Sequence, residues 1–243
     1  MKVSVVISAY NEEKKLADCL KSVLDVASEI IVVNSGSTDK TEEIASKFTK
    51  NVYSRENNPM LNVNKNFGFG KAKSDWILNL DADERLEKAL SNEILELSED
   101  SQFSGYFIPR KNIIFGKWIQ HTGWYPDHQL RLFKNGKGKF EEKHVHEMIQ
   151  VDGEIGQLKN PMTHLNYESV SQFLDKMVRT YTVSEANVLF DNGYKFETFV
   201  EEQLTDFNAV NIDKGDKFET IVQEQLSDCK LIRVDTWDKS YSF

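Results

Sequence analysis

Apolar positions in the first third of the chain fall into two alternating rhythms. Val3 to Ser8 is a short β-branched run, and after the polar Tyr10-Asn11-Glu12 the residues Leu16, Leu20, Val23 and Leu24 recur at helical spacing. Ile30-Ile31-Val32-Val33 reads as a second buried strand. The small polar loop Asn34-Ser35-Gly36-Ser37-Thr38-Asp39 then opens a helix whose inner face is Ile44, Ala45 and Phe48. Asp39 with Glu42 three residues on has the spacing of a capping box. Asn51 to Tyr53 is a third, short strand, and residues 62–73 carry a weak helical pattern interrupted by Gly68 and Gly70. Trp76 to Leu80 is strand-like and runs straight into Asp81-Ala82-Asp83-Glu84, with a helix expected from about Leu86 to Leu97.

Strands alternating with helices predict an α/β fold with a mostly parallel, doubly wound sheet and helices on both faces, because parallel neighbours need crossover connections. Ligands of such sheets collect at the carboxyl ends of strands, where Tyr10, Asn11, Asn34, Asp39, Asp81 and Asp83 would stand. Asn, Ser, Gly and Asp are also ordinary turn residues, so the loops alone do not decide the matter. No GxGxxG and no GxxxxGK[ST] occurs, which excludes the dinucleotide and P-loop signatures. Three clustered carboxylates repel one another and are costly to desolvate, so a divalent cation or a nucleotide is one reading of Asp81 to Glu84. The other is a helix start, with an Asp as cap and Glu84 in the first turn.

Beyond residue 100 the texture becomes extended. Gly105 to Arg110 and Ile113 to Ile119 are strand-like, and Gln129 to Phe133 alternates so as to put Gln129 and Arg131 on one face. Asp127 enters that strand beside Trp124 and Tyr125. Partial burial there would raise its pKa toward the range of a general base; as a turn residue after Pro126 it would have no chemistry. His144 and His146 alternate in a way that puts both rings on one face, with Glu147 and His164 following, but the spacing is not a zinc signature.

Composition narrows this picture. A chain of 243 residues fits one large domain, or one with an appendage. The formal net charge of −9 argues against nucleic acid as a partner. Between Tyr106 and His146, however, eight Lys or Arg face three acids, a basic patch suited to an acceptor bearing phosphate or carboxylate. Two cysteines, Cys19 and Cys229, make no disulfide framework and suggest a reducing compartment. The N-terminal run has no cleavage-site pattern, and no apolar stretch approaches the roughly 20 residues of a transmembrane helix, so a cytoplasmic protein is expected.

Taken together, Ala9-Tyr10-Asn11-Glu12, Asn34 through Asp39, Asp75-Trp76-Ile77 through Asp81-Ala82-Asp83-Glu84, and Gly123-Trp124-Tyr125-Pro126-Asp127 with Arg131-Leu132-Phe133 resemble the family-2 inverting glycosyltransferases of GT-A fold. More narrowly they are similar to the bacterial branch that includes lipopolysaccharide core β-glucosyltransferases. The resemblance runs from about Met1 to Ala186. It implies a nucleotide-sugar site, typically for uridine diphosphate, at Ala9, Tyr10, Glu12, Asn34, Asp39, Lys65 and Asp81. Asp81 and Asp83 match the DXD motif, with Asp83 toward Mg²⁺ or Mn²⁺ and His146 or His164 as a further metal contact. It makes Asp127 the base that deprotonates the acceptor, and Trp124, Gln129 and Arg131 acceptor-binding residues. The reaction implied is inverting transfer of a hexose, as from UDP-glucose, to a hydroxyl of a bacterial surface glycan such as lipopolysaccharide core. The acceptor would be a glycan or lipid-linked glycan, reached by peripheral contact at the inner face of the membrane.

Two departures stand out. Relatives usually carry Asp where this chain has Asn34, whose carbonyl can still accept from a nucleobase N–H but without the charge. The tail from Asp191 to Phe243 has twelve acids and six bases, against a basic tail in the narrower branch. It holds a 22-residue repeat, residues 195–206 returning at 217–228, with Phe196, Phe199, Val200 and Leu204 at helical spacing. The division expected is therefore a GT-A domain over 1–190, with a nucleotide-sugar half to residue 100 and an acceptor half after it. An acidic helical appendage over 191–243 would pack on that domain or on a second copy. Two rivals remain from sequence: a sugar nucleotidyltransferase, disfavoured because Ser4 to Glu12 has no Gly-rich phosphate loop, and a non-catalytic glycan-binding or scaffold protein of the same fold.

Overall fold

A computed structural model describes residues 1–58, 61–98, 101–142 and 147–176. The chain divides into two compact units, Met1–Phe173 and Leu174–Phe243. The boundary expected near residue 190, the repeat, His144 and His146 lie outside the described residues.

The buried apolar runs form the expected strands: β1 (Val3–Ala9), β2 (Glu29–Asn34), β3 (Asn51–Ser54) and β4 (Trp76–Asp81). They pair in parallel in the order β3-β2-β1-β4, joined by α1 (Leu16–Val23), α2 (Thr41–Ser46) and α3 (Leu61–Phe69). Then follow β5 (Glu84–Leu86), α4 (Lys88–Leu95), β6 (Gly105–Ile114), β7 (Lys117–Trp118) and β8 (Asp127–Lys134). After the two-stranded β9 (Gly138–Lys139) and β10 (Gln150–Val151) come β11 (Ile155–Gln157), β12 (Met162–Tyr167) and α5 (Val170–Lys176). The main sheet runs β3-β2-β1-β4-β8-β6-β12-β5, with β7 and β11 on β6, and is mixed but mostly parallel.

Side-chain alternation along β1 separates two core layers. Val3, Val5 and Ile7 pack with Leu16 and Leu20 of α1 and Leu90 and Ile94 of α4, whereas Val6 packs with Ile31, Ile77, Phe69 and Phe133 on the α3 side. Helices therefore cover both faces. The weak pattern of α3 has a physical cause. A Cβ on Gly68 would stand 2.5 Å from Val6 Cγ1, so the helix lies directly on β1, while two of its other buried positions, Asn62 and Asn64, are amides.

Topology brings one edge of the sheet together. β8 is antiparallel to β4 and to β6, and β12 is parallel to β6. The carboxyl ends of β4, β6 and β12 and the start of β8 thus share an edge, and β5 pairs Glu84 with His164. Two local expectations fail. Glu84 is not in a helix turn: it is a fully buried residue of β5, and α4 starts later, at Lys88. Pairing with β12, distant in sequence, overrides the local helix-start pattern. Nor does Glu42 close a capping box. Its Oε2 accepts from Asn34 Nδ2 and Ser54 Oγ, while Asp39 Oδ1 accepts from Thr41 N at 2.9 Å.

Candidate active site

The loops after β1 and β2 are sewn to each other. Asn11, at φ 54°, accepts from Thr38 N, and Glu12 N donates to Thr41 Oγ1. Asp39 Oδ2 accepts from Glu13 N. Burial would raise the Asp39 carboxyl, but its bonds from Thr41 and Glu13 leave it below the usual value. Asn34 is buried, its Oδ1 accepting from Ser37 N at 3.1 Å and its Nδ2 donating to Glu42 at 2.7 Å. Ala9 is buried at the end of β1 and Tyr10 is exposed next to it. Ala9, Tyr10, Glu12, Asn34 and Asp39 thus share the carboxyl edge of β1 and β2.

Asp81, at the end of β4, is held on both oxygens. Lys65 Nζ lies 2.6 Å from Oδ1 and Arg131 Nη2 2.6 Å from Oδ2. Burial raises this carboxyl, yet Arg131 and Lys65 outweigh it and hold it well below the ordinary range. Glu84 accepts the Asp81 backbone N–H on Oε2 at 3.0 Å and, on Oε1, Arg131 at 2.7 Å and Arg110 at 3.4 Å. Arg131 is only 6% exposed, its Nη2 bonds both carboxylates and its Nε is buried, so it does not present itself to an acceptor. The register explains why. Tyr106 pairs with Leu132 and Phe107 with Leu130, which makes Arg131 the extra residue of a bulge. Leu130 and Leu132 accordingly enter opposite core layers, and the alternation that put Gln129 beside Arg131 breaks.

Asp127 Oδ2 accepts from Arg110 Nε at 2.7 Å, Arg110 Nη2 at 2.6 Å and Asn112 Nδ2 at 3.1 Å, and Oδ1 accepts from Gln129 Nε2 at 2.7 Å. The raised pKa expected from burial is not found. Half-burial does push the carboxyl up, but Arg110 and the bonds from Asn112 and Gln129 bring it below the ordinary value. Asp127 is thus an ionised carboxylate at neutral pH.

Asn112 is wholly buried, its Nδ2 also donating to Trp124 O at 3.1 Å. With the amide nitrogen facing two oxygens, Oδ1 faces His164 Nδ1 at 2.7 Å, so the network assigns the proton to Nδ1. Nε2 then points at Asp83 Oδ2, 3.4 Å away. A lone pair facing a carboxylate calls for a cation between them, either a proton or a metal ion. Mg²⁺ in nucleotide sites commonly takes one or two protein carboxylates and completes its shell with phosphate oxygens. Asp83 and His164 fit such an ion, although among the described residues no three His, Cys, Asp or Glu side chains form a metal cluster. The side chains from Asp81 through Arg131, Glu84, Arg110, Asp127, Asn112 and His164 to Asp83 form a circuit, closed through Ala82.

Sequence reasoning missed Arg110 and Asn112. Arg110 was legible only as one charge of the basic patch, and a single Asn in a strand carries no signal. The patch itself is not one surface. β8 runs from Asp127 at the site to Lys134 at the opposite edge, where Lys134 lies 5.6 Å from the Trp76 ring and Lys137 pairs with Asp152. Of the described basic residues of that stretch, Arg110 and Arg131 reach the carboxylates, Lys117 stands on β7 beside the end of β6, and Lys111 lies over Trp118, which meets Tyr125 edge-on. Trp124 is 37% exposed beside Asp127.

Comparison with known proteins identifies the family and the fold. The family model described as Glycosyl transferase family 2 matches residues 4–152. The lipopolysaccharide core biosynthesis glycosyltransferase LpsC of Rhizobium meliloti is 30% identical over 164 residues, covering 63% of this chain and 59% of that protein. An uncharacterised glycosyltransferase of Rickettsia conorii is 40% identical over 213 residues, 82% of this chain and 74% of its own length. Among solved structures, S. aureus TarS 1–349 in complex with UDP-GlcNAc superposes with a TM-score of 0.55 at 17% identity, over 85% of this chain and 71% of that one. With more than half of its residues matched by the family model, the chain belongs to glycosyl transferase family 2.

Proposed function

We propose that this protein is an inverting, metal-assisted glycosyltransferase that moves a hexose from a uridine-diphosphate sugar to a hydroxyl of a bacterial surface glycan, with lipopolysaccharide core as the acceptor class. The observation that carries this reading is the circuit joining Asp81 and Asp83 to Asp127 at one sheet edge, which sets paired donor-side carboxylates against a single ionised base. The name of LpsC supports the acceptor, and the sugar nucleotide bound by TarS supports the donor.

In this reading Ala9, Tyr10, Glu12, Asn34 and Asp39 form the nucleoside wall. Asp81 binds the ribose and Lys65 the diphosphate. Asp83 with His164 would hold Mg²⁺ or Mn²⁺, which would supply positive charge to the leaving diphosphate. Asp127 takes the proton of the attacking hydroxyl, while Trp124 and Gln129 hold the acceptor. Arg131 acts as a positioning residue for Asp81 rather than as an acceptor ligand. In-line attack with Asp127 as the one base and no covalent intermediate inverts the anomeric configuration. No described helix is long and apolar enough to cross a membrane, and the enzyme works at the inner membrane face by peripheral contact.

The test is a hydrolysis screen over sugar nucleotides with Mn²⁺, since slow transfer to water needs no known acceptor. A UDP-hexose should release UDP, and both this and a UDP–Mn²⁺ melting shift should be lost in Asp83→Asn. Asp127→Asn should keep the melting shift and lose turnover. Absence of any metal-dependent shift or turnover with every nucleoside diphosphate sugar would overturn the assignment.

A further inference from the structure

We propose that Asp127 and Gln129 together read a 1,2-diol, so that the acceptor is a sugar or polyol whose attacking hydroxyl has a hydroxyl on the adjacent carbon. This rests on Asp127 being the base. Asp127 Oδ2 already accepts three donors, two from Arg110 and one from Asn112. A carboxylate oxygen offers about two lone-pair sites, so Oδ2 has no room for a further donor. Oδ1 accepts one bond, from Gln129 Nε2 at 2.7 Å, and is the oxygen that can receive a proton.

The same bond orients Gln129. An ionised carboxylate takes only donors, so the amide nitrogen faces Asp127 and the carbonyl Oε1 points away from it. Among the described residues no donor is bonded to Oε1. The half-buried Gln129 therefore leaves two hydrogen-bond acceptors on groups joined by a single hydrogen bond, the remaining lone pair of Asp127 Oδ1 and Gln129 Oε1. A group that satisfies both must bring two neighbouring donors. Adjacent hydroxyls on a sugar ring do so, whereas a serine hydroxyl, a cysteine thiol or an isolated alcohol brings one.

The chemistry balances. As the attacking oxygen forms its bond to the anomeric carbon, its proton passes to Asp127 Oδ1, and the anomeric C–O bond breaks with its electron pair leaving on the diphosphate. The neighbouring hydroxyl keeps its proton and donates it to Gln129 Oε1. An acceptor lacking that hydroxyl leaves Oε1 unpaired beneath the bound acceptor, a loss on the order of tenfold.

The experiment uses the full-length protein and whichever sugar nucleotide it hydrolyses, with 1,2-propanediol and 1,3-propanediol mixed in equal amounts as competing acceptors. Mass spectrometry separates the two glycosides after chromatography. The wild type should favour the 1,2-diol by about tenfold, and Gln129→Met should bring the ratio to within about twofold of one. The ratio is internal to each protein, so a slower variant remains interpretable. A wild-type ratio near one overturns the proposal whatever the variant does, and so does a preference that survives in Gln129→Met. Donor hydrolysis without transfer to either diol also counts against it. No turnover of any donor would instead remove the glycosyltransferase reading on which it rests.

Discussion

At the scale of single residues, the chemistry of the site is decided by which charge touches which. Asp127 sits low because Arg110 is on it, so Arg110→Met should let its carboxyl rise. A base must be unprotonated to act, and the acidic limb of the kcat/KM profile for donor hydrolysis should therefore move to higher pH. A limb that stays in place would mean that Arg110 does not tune the base. Asp81 carries the matching stability term. Its folded-state pKa is depressed, so the stabilisation is present above the unfolded value of about 3.9 and is lost as pH falls below it. Melting temperatures between pH 7 and pH 3 should fall less steeply in Asp81→Asn than in the wild type. Glu84 behaves differently, since it is fully buried between two arginines. Glu84→Gln leaves both guanidiniums short of an anion, which should cost about 3 kcal/mol and lower the melting temperature by roughly 10 °C. Thermal unfolding measures it directly. Asp81 and Asp83 stood out in the sequence because a strand that ends in carboxylates is unusual, and Asp127 because it enters a strand beside Trp124 and Tyr125. Glu84, written beside two of them, was misread because its partners come from β6 and β8, which no local pattern reveals.

Whole elements repeat that division. The strands β1, β2 and β4 are buried on both faces and so appear as continuous apolar runs, which is why their positions could be read directly. β5 has three residues and takes its identity from pairing with β12, so it was taken for the start of a helix. In β8 the bulge at Arg131 defeats a period-2 reading that would otherwise be sound. Helix α3 shows how an element positions chemistry. Gly68 lets it rest on Val6 and Val33, and Lys65, three residues earlier on neighbouring helix face, reaches Asp81. A methyl group at position 68 would force the helix off the sheet. Gly68→Ala should destabilise by about 1–3 kcal/mol and weaken UDP binding, because Lys65 moves with the helix. Gly70→Ala is the control. Its new Cβ would meet nothing nearer than 3.5 Å, and urea unfolding should place it within about 0.5 kcal/mol of wild type.

For the whole molecule the relevant fact is that the two halves inferred from sequence share one electrostatic unit. Asp81 and Glu84 come from the first hundred residues, and Arg110, Asp127 and Arg131 from the second. Substitutions at Asp81 and Asp127 have no shared contact, yet Arg131, Glu84 and Arg110 connect them. Their effects on unfolding free energy should be non-additive by at least about 0.5 kcal/mol, and the coupling should shrink in a Glu84→Gln background. A cycle pairing Asp127→Asn with Asp39→Asn should be additive, because among the described residues Asp39 bonds only to Glu13 and Thr41, at the loops after β1 and β2. The circuit also bears on how such proteins can be recombined. Donor and acceptor preferences invite exchange of segments between relatives, and the stretch around α4 looks like the natural crossover point. A crossover there takes Glu84 from one parent and both of its arginines from the other. Chimaeras should therefore survive only when the second parent also supplies guanidinium groups matching Arg110 and Arg131, a criterion that can be applied before any gene is assembled.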